Sequence, residues 1–294
     1  MSLLLKDINF CLFDLWVFIF VYIFAYYYCV NKNDTKMKTG KKHIILYEVL
    51  LLLVLVSCSD RRTVIGVSQC SDDLWRQKVN REIKIGQYQY KNVDVVFASA
   101  DNNGQRQARQ IDSLVKAKVD LLVVAPSDVK TVAPAIERAY RAGIPVILYD
   151  RMIESTHYTA YIGTDNVAIG KEVADYLAHQ LQGRGTVVEI TGERGSTPVA
   201  DRHRGFMQGM KAFPQIQVVT LEGDWNLAGA KKLMRQYMDA GKPVDAVFGH
   251  NDAEAWGAQQ AAKDKNREKQ MLFVGIDGLP GENQGVDLVD KGVM

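Results

Sequence analysis

Charge of one sign, cysteine and histidine are all scarce in this 294-residue chain, and each scarcity excludes a class of function. Lysine and arginine number 36 against 34 aspartates and glutamates, which leaves a formal net charge of only +2. A chain with this balance of charge lacks the excess of positive charge that nucleic-acid binding requires, and it has no long block of like charge. We therefore expect no nucleic-acid partner.

The four cysteines and five histidines also fail to form any familiar reactive or metal-binding pattern. No CxxC, H-x-x-x-H or H-E-x-x-H spacing occurs, so no zinc site is predicted, and no disulfide framework supports the fold. The G-x-S-x-G turn of serine hydrolases is absent as well. The adjacent acids Asp72 and Asp73 are neighbours in sequence rather than a facing pair, which argues against glycosidase chemistry. We expect neither an enzyme nor a cofactor.

Strongly apolar sequence is confined to the first sixty residues. Residues 15–30, LWVFIFVYIFAYYYCV, form an unbroken apolar stretch, a little short of the ~20 residues that span a bilayer as a helix. A second apolar run at 44–56 follows four lysines and ends in small residues, which is the pattern of a secretory signal. We predict an apolar extension or transmembrane segment at 1–36 and a signal peptide at 37–58.

Two interpretations of the extreme N-terminus remain open. Met37 is the true start in the first, whereas in the second residues 15–30 cross the membrane and the lysine-rich loop that follows stays in the cytoplasm. Residues 55–58, Leu-Val-Ser-Cys, also resemble a bacterial lipobox, which implies lipidation at Cys58. In either case the chain after Cys58 is expected in the periplasm, anchored to the inner membrane by its N-terminal segment or by a lipid.

From Thr63 onward, short apolar runs alternate with longer amphipathic ones. Continuous apolar strands separated by helices indicate parallel sheets covered on both faces. Because five runs precede Gly163 and four follow it, we predict an α/β fold with two similar doubly wound lobes, at 59–164 and 165–294, joined by a hinge of short crossings. The nine runs are 63–68, 93–100, 119–125, 144–150, 159–163, 185–191, 216–223, 245–250 and 271–277.

Polar residues follow these strand-like runs at the points where an open parallel sheet binds its ligands. Asp150 and Arg151, for example, end the buried run GIPVILYDR. Carboxylates and amides bond to vicinal hydroxyls, arginine donates to two of them, and a tryptophan face packs on the apolar side of a sugar ring. Any single Asp or Asn here is better explained as a helix N-cap. Their convergence on one cleft nevertheless predicts a site for a neutral sugar.

Seven segments carry a family resemblance: VSQCSDDLWR, GIPVILYDR, IGTDN, GSTPVADRHRGF, GDW, GHND and VGIDG. On these segments, residues 63–294 resemble the ribose-binding branch of the type I periplasmic binding proteins, which are relatives of the effector domains of LacI-type repressors. The resemblance implies a monosaccharide, a pentose or hexose, as the ligand. It implies sugar contacts from Asp72, Trp75, Asp150, Arg151, Arg202, Trp225, Asn251 and Asp277.

The chain departs from the family pattern in two places. The first loop, Asp72 to Trp75, replaces an Asn-Pro-Phe-Phe-like sequence, and this variant resembles the sensor domains of hybrid two-component histidine kinases. It implies a sugar sensor with a kinase module in the same chain; the alternative is a solute-binding lipoprotein that serves an ABC-type permease. Family members also continue past a helix at about 282–292 into another strand, so we expect the second lobe to be C-terminally incomplete.

Two rival classes share this kind of fold. A dinucleotide-binding enzyme needs a glycine-rich turn after its first strand, but VSQCSDDLW has no glycine there. A LacI-type repressor needs a helix-turn-helix before Thr63, where this chain has an apolar export signal instead. The sequence therefore favours a binding protein over both.

Overall fold

A computed structural model of the chain describes residues 61–294. The predicted apolar segment, the signal peptide and lipidation at Cys58 lie outside the described residues. Within 61–294, no helix is both long and apolar enough to cross a membrane.

Strands and helices alternate along the described residues, and every strand-like run of the sequence forms a strand. The strands are β1 (Thr63–Gln69), β2 (Val93–Ser99), β3 (Leu121–Val124), β4 (Val146–Tyr149), β5 (Ala160–Ile162), β6 (Arg184–Thr191), β7 (Gln215–Glu222), β8 (Ala246–Gly249) and β9 (Leu272–Val274). The α-helices are α1 (Leu74–Gln87), α2 (Gly104–Lys116), α3 (Ala133–Arg141), α4 (Asn166–Gln180), α5 (Thr197–Met210), α6 (Leu227–Asp239), α7 (Asp252–Lys263) and α8 (Gly285–Asp290). A 3-10 turn at Glu268–Gln270 precedes β9.

The strands form two separate parallel sheets, which confirms the predicted fold class. One sheet has the order β2-β1-β3-β4-β5 and the other the order β7-β6-β8-β9. All neighbouring strands run parallel. The chain passes from the first sheet to the second through residues 163–165, and the Asp165 carboxylate then caps α4 by accepting from Val167 and Ala168 N–H at 3.1 and 3.0 Å.

Helices cover the central strands of each sheet, as their apolar residues require, whereas edge-strand residues such as Val96 and Ile162 stay exposed. In the first lobe, Leu122 and Leu148 pack against Ile111 of α2 and Ile136 of α3. In the second lobe, one face packs on α4 and α5, where the rings of Phe206 and Phe248 lie 4.9 Å apart. The other face packs on α6 and α7 around Val188, Val247 and Met234. The two lobes therefore have cores of their own, and polar strand ends remain free to face the space between them.

Candidate functional site

A cavity of about 400 Å³ lies between the lobes at the C-terminal ends of the strands, and residues of both lobes line it. This volume is within the usual range for a small-molecule site. The structure brings seven of the eight residues predicted from the sequence to this cavity. They are Trp75, Asp150, Arg151, Arg202, Trp225, Asn251 and Asp277.

Asp72 is the eighth predicted residue, and the structure does not place it at the cavity. It is exposed, and its backbone carbonyl accepts from Gln77 Nε2 at 2.9 Å. The next residue, Asp73, lines the cavity and caps α1 by accepting from the N–H of Arg76 at 2.9 Å. The first loop thus presents Asp73, Trp75 and Arg76 to the cavity.

Arg76 is a cavity residue that the sequence reasoning missed. Its side chain is only 4% exposed, and its Nη2 donates to Asp150 Oδ2. The guanidinium lies 4.6 Å from the ring centroid of Trp75 and 5.5 Å from that of Tyr149. Its other terminal nitrogen, Nη1, is buried without a hydrogen-bond partner among residues 61–294. The sequence did contain a signal for Arg76: it lies in the first turn of a helix, where the macrodipole disfavours cations, so another role for this arginine could have been inferred.

Asp150 and Arg151 leave the end of β4 in different directions, because Asp150 has a left-handed backbone with φ of +60°. Asp150 pairs with Arg76, whereas Arg151 Nη1 donates to the Ser127 carbonyl at 3.1 Å. The Arg151 Nε to Asp150 Oδ2 distance is 3.8 Å, too long for a hydrogen bond. The two charges that end this strand are within ion-pair distance, but each makes its hydrogen bonds elsewhere, and both line the cavity.

Arg202 approaches the same space from α5 in the second lobe. Its Nε donates to Asn166 Oδ1 at 2.8 Å, and its Nη1 donates to the His250 carbonyl. These two bonds fix the plane of the guanidinium and leave the N–H groups of Nη2 without a hydrogen-bond partner among residues 61–294. Its central carbon lies 5.8 Å from the Trp225 ring centroid, and that of Arg151 lies 6.0 Å from the same ring. Trp225 is thus in contact with one arginine from each lobe.

The backbone of Trp225 is held on both sides by Asn251, which caps α7, and by Glu254 in its first turn. Its N–H donates to Glu254 Oε1 at 2.9 Å, and its carbonyl accepts from Asn251 Nδ2 at 3.0 Å. The residue has a left-handed φ of +66°, which these two bonds stabilise. Its indole packs on Gly192, where an added Cβ would lie 2.1 Å from the ring, and its Nε1 is buried without a partner among the described residues.

Asn251 lines the cavity and also stabilises the structure around it. Besides bonding to Trp225, its Oδ1 accepts from Glu254 N–H at 2.8 Å and caps α7. Asn251 is therefore a helix N-cap, the simpler explanation for an Asn that follows a strand. One N–H of its amide remains available to a ligand.

The acids at this end of the second lobe have altered protonation equilibria. Burial raises the pKa of Asp277 to about 7, although the charge of Arg202 opposes the shift. Burial likewise raises the pKa of Glu254 to about 8, so this side chain is mainly protonated at neutral pH. Asp252 Oδ2 accepts from the Gly278 N–H at 2.8 Å and so fixes the turn that carries Asp277.

Comparison with known proteins shows the family to which the chain belongs. A sequence profile of the periplasmic binding protein domain matches residues 64–294. The chain belongs to the periplasmic binding protein family. The resemblance inferred from the sequence is thereby confirmed, as is the prediction of a binding protein rather than an enzyme. Membership of the family also places this binding domain outside the cytoplasm.

This periplasmic binding protein is similar to family members that are named for the sugars they bind. The fructose-binding periplasmic domain of a hybrid two-component system is 44% identical, with a TM-score of 0.76 over 79% of this chain and 78% of that one. The binding protein of the arabinose ABC transporter of Shewanella, solved with L-arabinofuranose, is 27% identical, with a TM-score of 0.71 over 79% and 84%. The galactofuranose-binding protein of Escherichia coli is 28% identical over 74% of this chain and 71% of its own length.

Proposed function

We propose that this periplasmic binding protein binds a neutral monosaccharide in the interlobe cavity, as the sensory domain of a hybrid two-component system. The observation that carries the proposal is the convergence of Arg76, Arg151 and Arg202 on one cavity with Asp150, Asp277 and tryptophan rings. Guanidinium and carboxylate groups offer complementary donors and acceptors for hydroxyls, and the rings offer apolar faces for C–H groups. Because charges of both signs are present, the site suits a ligand without a net charge.

Each polar group has a specific part in this proposal. Nη1 of Arg76, Nε of Arg151 and Nε1 of Trp225 are buried donors without partners among residues 61–294. A buried donor that bonds to nothing costs about 1–3 kcal/mol, and sugar hydroxyls would remove that cost. Asp150 and Asp277 accept from hydroxyls, and the ring of Trp225 packs on the sugar between the two arginines that it contacts.

Binding would close the two lobes over the ligand. Arg76, Asp150 and Arg151 belong to the first lobe, and Arg202 and Asp277 to the second. A ligand that contacts both lobes binds the closed form more tightly than the open one, and it shifts the equilibrium by that difference. Closure is then the signal that the binding domain transmits.

Fructose is the first sugar to test, and a sensor is the favoured context, because the fructose-binding domain of a hybrid two-component system is the relative with 44% identity. A kinase module in the same chain would be the partner. The second candidate is an importer, with an ABC permease as partner, which the similarity to the arabinose transporter component supports. A kinase-coding frame directly downstream in the genome favours the sensor, and a permease gene favours the importer.

Several further parts of the proposal concern residues before Arg61. We keep the signal peptide at 37–58, anchoring at the inner membrane and lipidation at Cys58 as predictions. The boundary between lobes at 164 and 165 also stays a prediction.

Isothermal titration calorimetry on the purified full chain tests the proposed function. The panel contains D-fructose, D-ribose, L-arabinose, D-galactose and myo-inositol. We expect saturable heat with at least one monosaccharide and a higher melting temperature in its presence, because a ligand that binds only the folded state stabilises it. Absence of heat and of thermal stabilisation with every sugar would refute the proposal.

A further inference from the structure

A buried polar cluster lies directly behind the sugar-facing side of the second lobe. Glu189, in the middle of β6, is fully buried and has three hydrogen-bond partners. His250 Nε2 lies 3.0 Å from its Oε1, and His203 Nδ1 lies 2.8 Å from its Oε2. Thr220 Oγ1, on the neighbouring strand β7, donates to Oε2 at 2.8 Å. None of these four side chains lines the cavity.

The protonation states of this cluster follow from its environment. Burial alone would raise the pKa of Glu189, but its hydrogen bonds with His250 and His203 hold it below its ordinary value. An ionised carboxylate only accepts, so both histidine nitrogens that face it must donate. Burial lowers the pKa of His250 in spite of Glu189, so this ring is neutral with its proton on Nε2.

Two of the three partners connect this carboxylate to Arg202. His250 follows β8, and its backbone carbonyl accepts the hydrogen bond from Arg202 Nη1. His203 is the residue next to Arg202 on α5, and its side chain is 43% exposed at the other end of the cluster. Glu189 therefore bonds to α5, the helix that carries Arg202, through His203. Through His250 it bonds to the residue whose carbonyl fixes the guanidinium plane of Arg202.

We propose that Glu189 is a positioning residue for sugar binding, which acts through His250 and His203 to hold Arg202 in its sugar-contacting geometry. A buried carboxylate in the centre of a sheet costs free energy unless it is fully hydrogen-bonded. An apolar residue would fill the same space without that cost. The cluster is therefore better explained by the orientation that it imposes on Arg202 than by stability alone. The inference rests on the proposed sugar site and adds the means by which one of its arginines is aligned.

A double-mutant cycle on the full chain tests the positioning role, with D-fructose or the best sugar of the panel as ligand. Glu189→Gln keeps the size of the side chain but replaces one acceptor oxygen by a donor, which faces a histidine or Thr220 donor. We expect its dissociation constant to rise about tenfold, which corresponds to loss of one hydrogen bond to a charged group. In an Arg202→Lys background, which lacks the planar fork, the same replacement should change the constant less than twofold.

Thr220→Val is the matched control, because it removes the one partner of Glu189 that has no connection to Arg202. Its dissociation constant should stay within twofold of the wild type. Equal losses from Glu189→Gln in the wild-type and Arg202→Lys backgrounds would overturn the inference, since a general structural defect acts independently of Arg202.

The Nε–H resonance of Arg202, assigned by its loss in Arg202→Lys, gives a second measurement that needs no sugar. We expect it to shift in Glu189→Gln and to stay in place in Thr220→Val. If Glu189→Gln does not fold, His203→Ala removes a half-exposed member of the cluster and should shift the same resonance. An unchanged resonance overturns the positioning role. Absence of sugar binding by the wild type refutes the proposed function instead, so the two failures are distinguishable.

Discussion

The sequence predicts which side chains lie at the site when those residues directly follow a strand. Asp150, Arg151 and Asp277 each come directly after an apolar run, and parallel-sheet geometry brings them to the cavity. Arg76 lies inside a helix and meets Asp150 74 positions further along the chain, so no local pattern reveals the pair. Asp72 shows the converse: it follows a strand and is absent from the cavity, whereas its neighbour Asp73, which is also exposed, lines it.

At the scale of one residue, Arg151→Ala should weaken sugar binding by about 1.5–3 kcal/mol, because hydrogen bonds of a charged donor are lost. Calorimetry of the variant and the wild type measures this difference. Arg141→Ala is the control, since Arg141 is exposed and its one ion pair in the described part of the chain is with Glu137 on the same helix. Unchanged affinity in Arg151→Ala would remove this residue from the site.

The pKa of Glu254 predicts a dependence of stability on pH. Because it is raised to about 8 in the folded state, the native protein holds a proton that the unfolded chain releases near its ordinary pKa of 4.5. The associated stability is fully present below about pH 4.5 and is lost as the pH rises through 8, at up to about 1.4 kcal/mol per pH unit. Glu254→Gln mimics the protonated acid, so its melting temperature should fall less between pH 5 and 8.

Asp277 contributes to the same decline, because burial raises its pKa to about 7. We therefore expect Glu254→Gln to reduce the slope of melting temperature against pH without abolishing it. The exposed Glu172→Gln serves as the control and should leave the slope unchanged. Parallel curves for the wild type and Glu254→Gln would contradict the assignment of a proton to Glu254.

At the scale of secondary-structure elements, the sequence predicted the number and type of strands better than their ends. The run at 119–125 forms a strand only over Leu121–Val124, and the helix expected at about 282–292 extends over Gly285–Asp290. Apolar periodicity determines where a strand is buried, whereas its ends depend on hydrogen bonds to neighbouring strands. The capping role of Asn251 was foreseen as the simpler explanation, but its bond to Trp225 crosses from one loop to another.

The turn after β6 provides a prediction for an element. Gly192→Ala places a Cβ against the Trp225 indole, so the ring must shift from its present position beside Arg151 and Arg202. We expect the sugar dissociation constant to rise at least fivefold, on the basis of about 1 kcal/mol of lost contacts. Gly86→Ala in α1 is the matched control, because nothing lies within 4 Å of its added Cβ. It should leave affinity unchanged and raise stability by about 0.5 kcal/mol.

At the scale of the whole molecule, the two lobes are joined by a hydrogen bond as well as by the chain. The N–H of Met152, after β4 in the first lobe, donates to Thr197 Oγ1 of α5 in the second at 3.0 Å. The strand alternation predicted two lobes, but no sequence pattern predicted this bond. It depends on how two separately folded surfaces meet, and the residues that make it are 45 positions apart.

Thr197→Val removes this acceptor and keeps the shape of the side chain. We expect sugar to dissociate about three- to tenfold faster, because a hydrogen bond between the lobes contributes about 0.5–1.5 kcal/mol to holding them together. Stopped-flow release of bound sugar measures the rate. The exposed Thr156→Val controls for the substitution itself. Identical release rates in Thr197→Val and the wild type would show that the bond plays no part in closure.

The contact of Trp225 with two guanidiniums has a practical consequence. Three of the four tryptophans of the chain, Trp75, Trp225 and Trp256, line the cavity, so most of the indoles report on it. A sugar that displaces water from these rings and alters their distance to the arginines should change both the intensity and the wavelength of the fluorescence. The protein thus contains an intrinsic optical probe of its own occupancy, and ligands can be screened without any label.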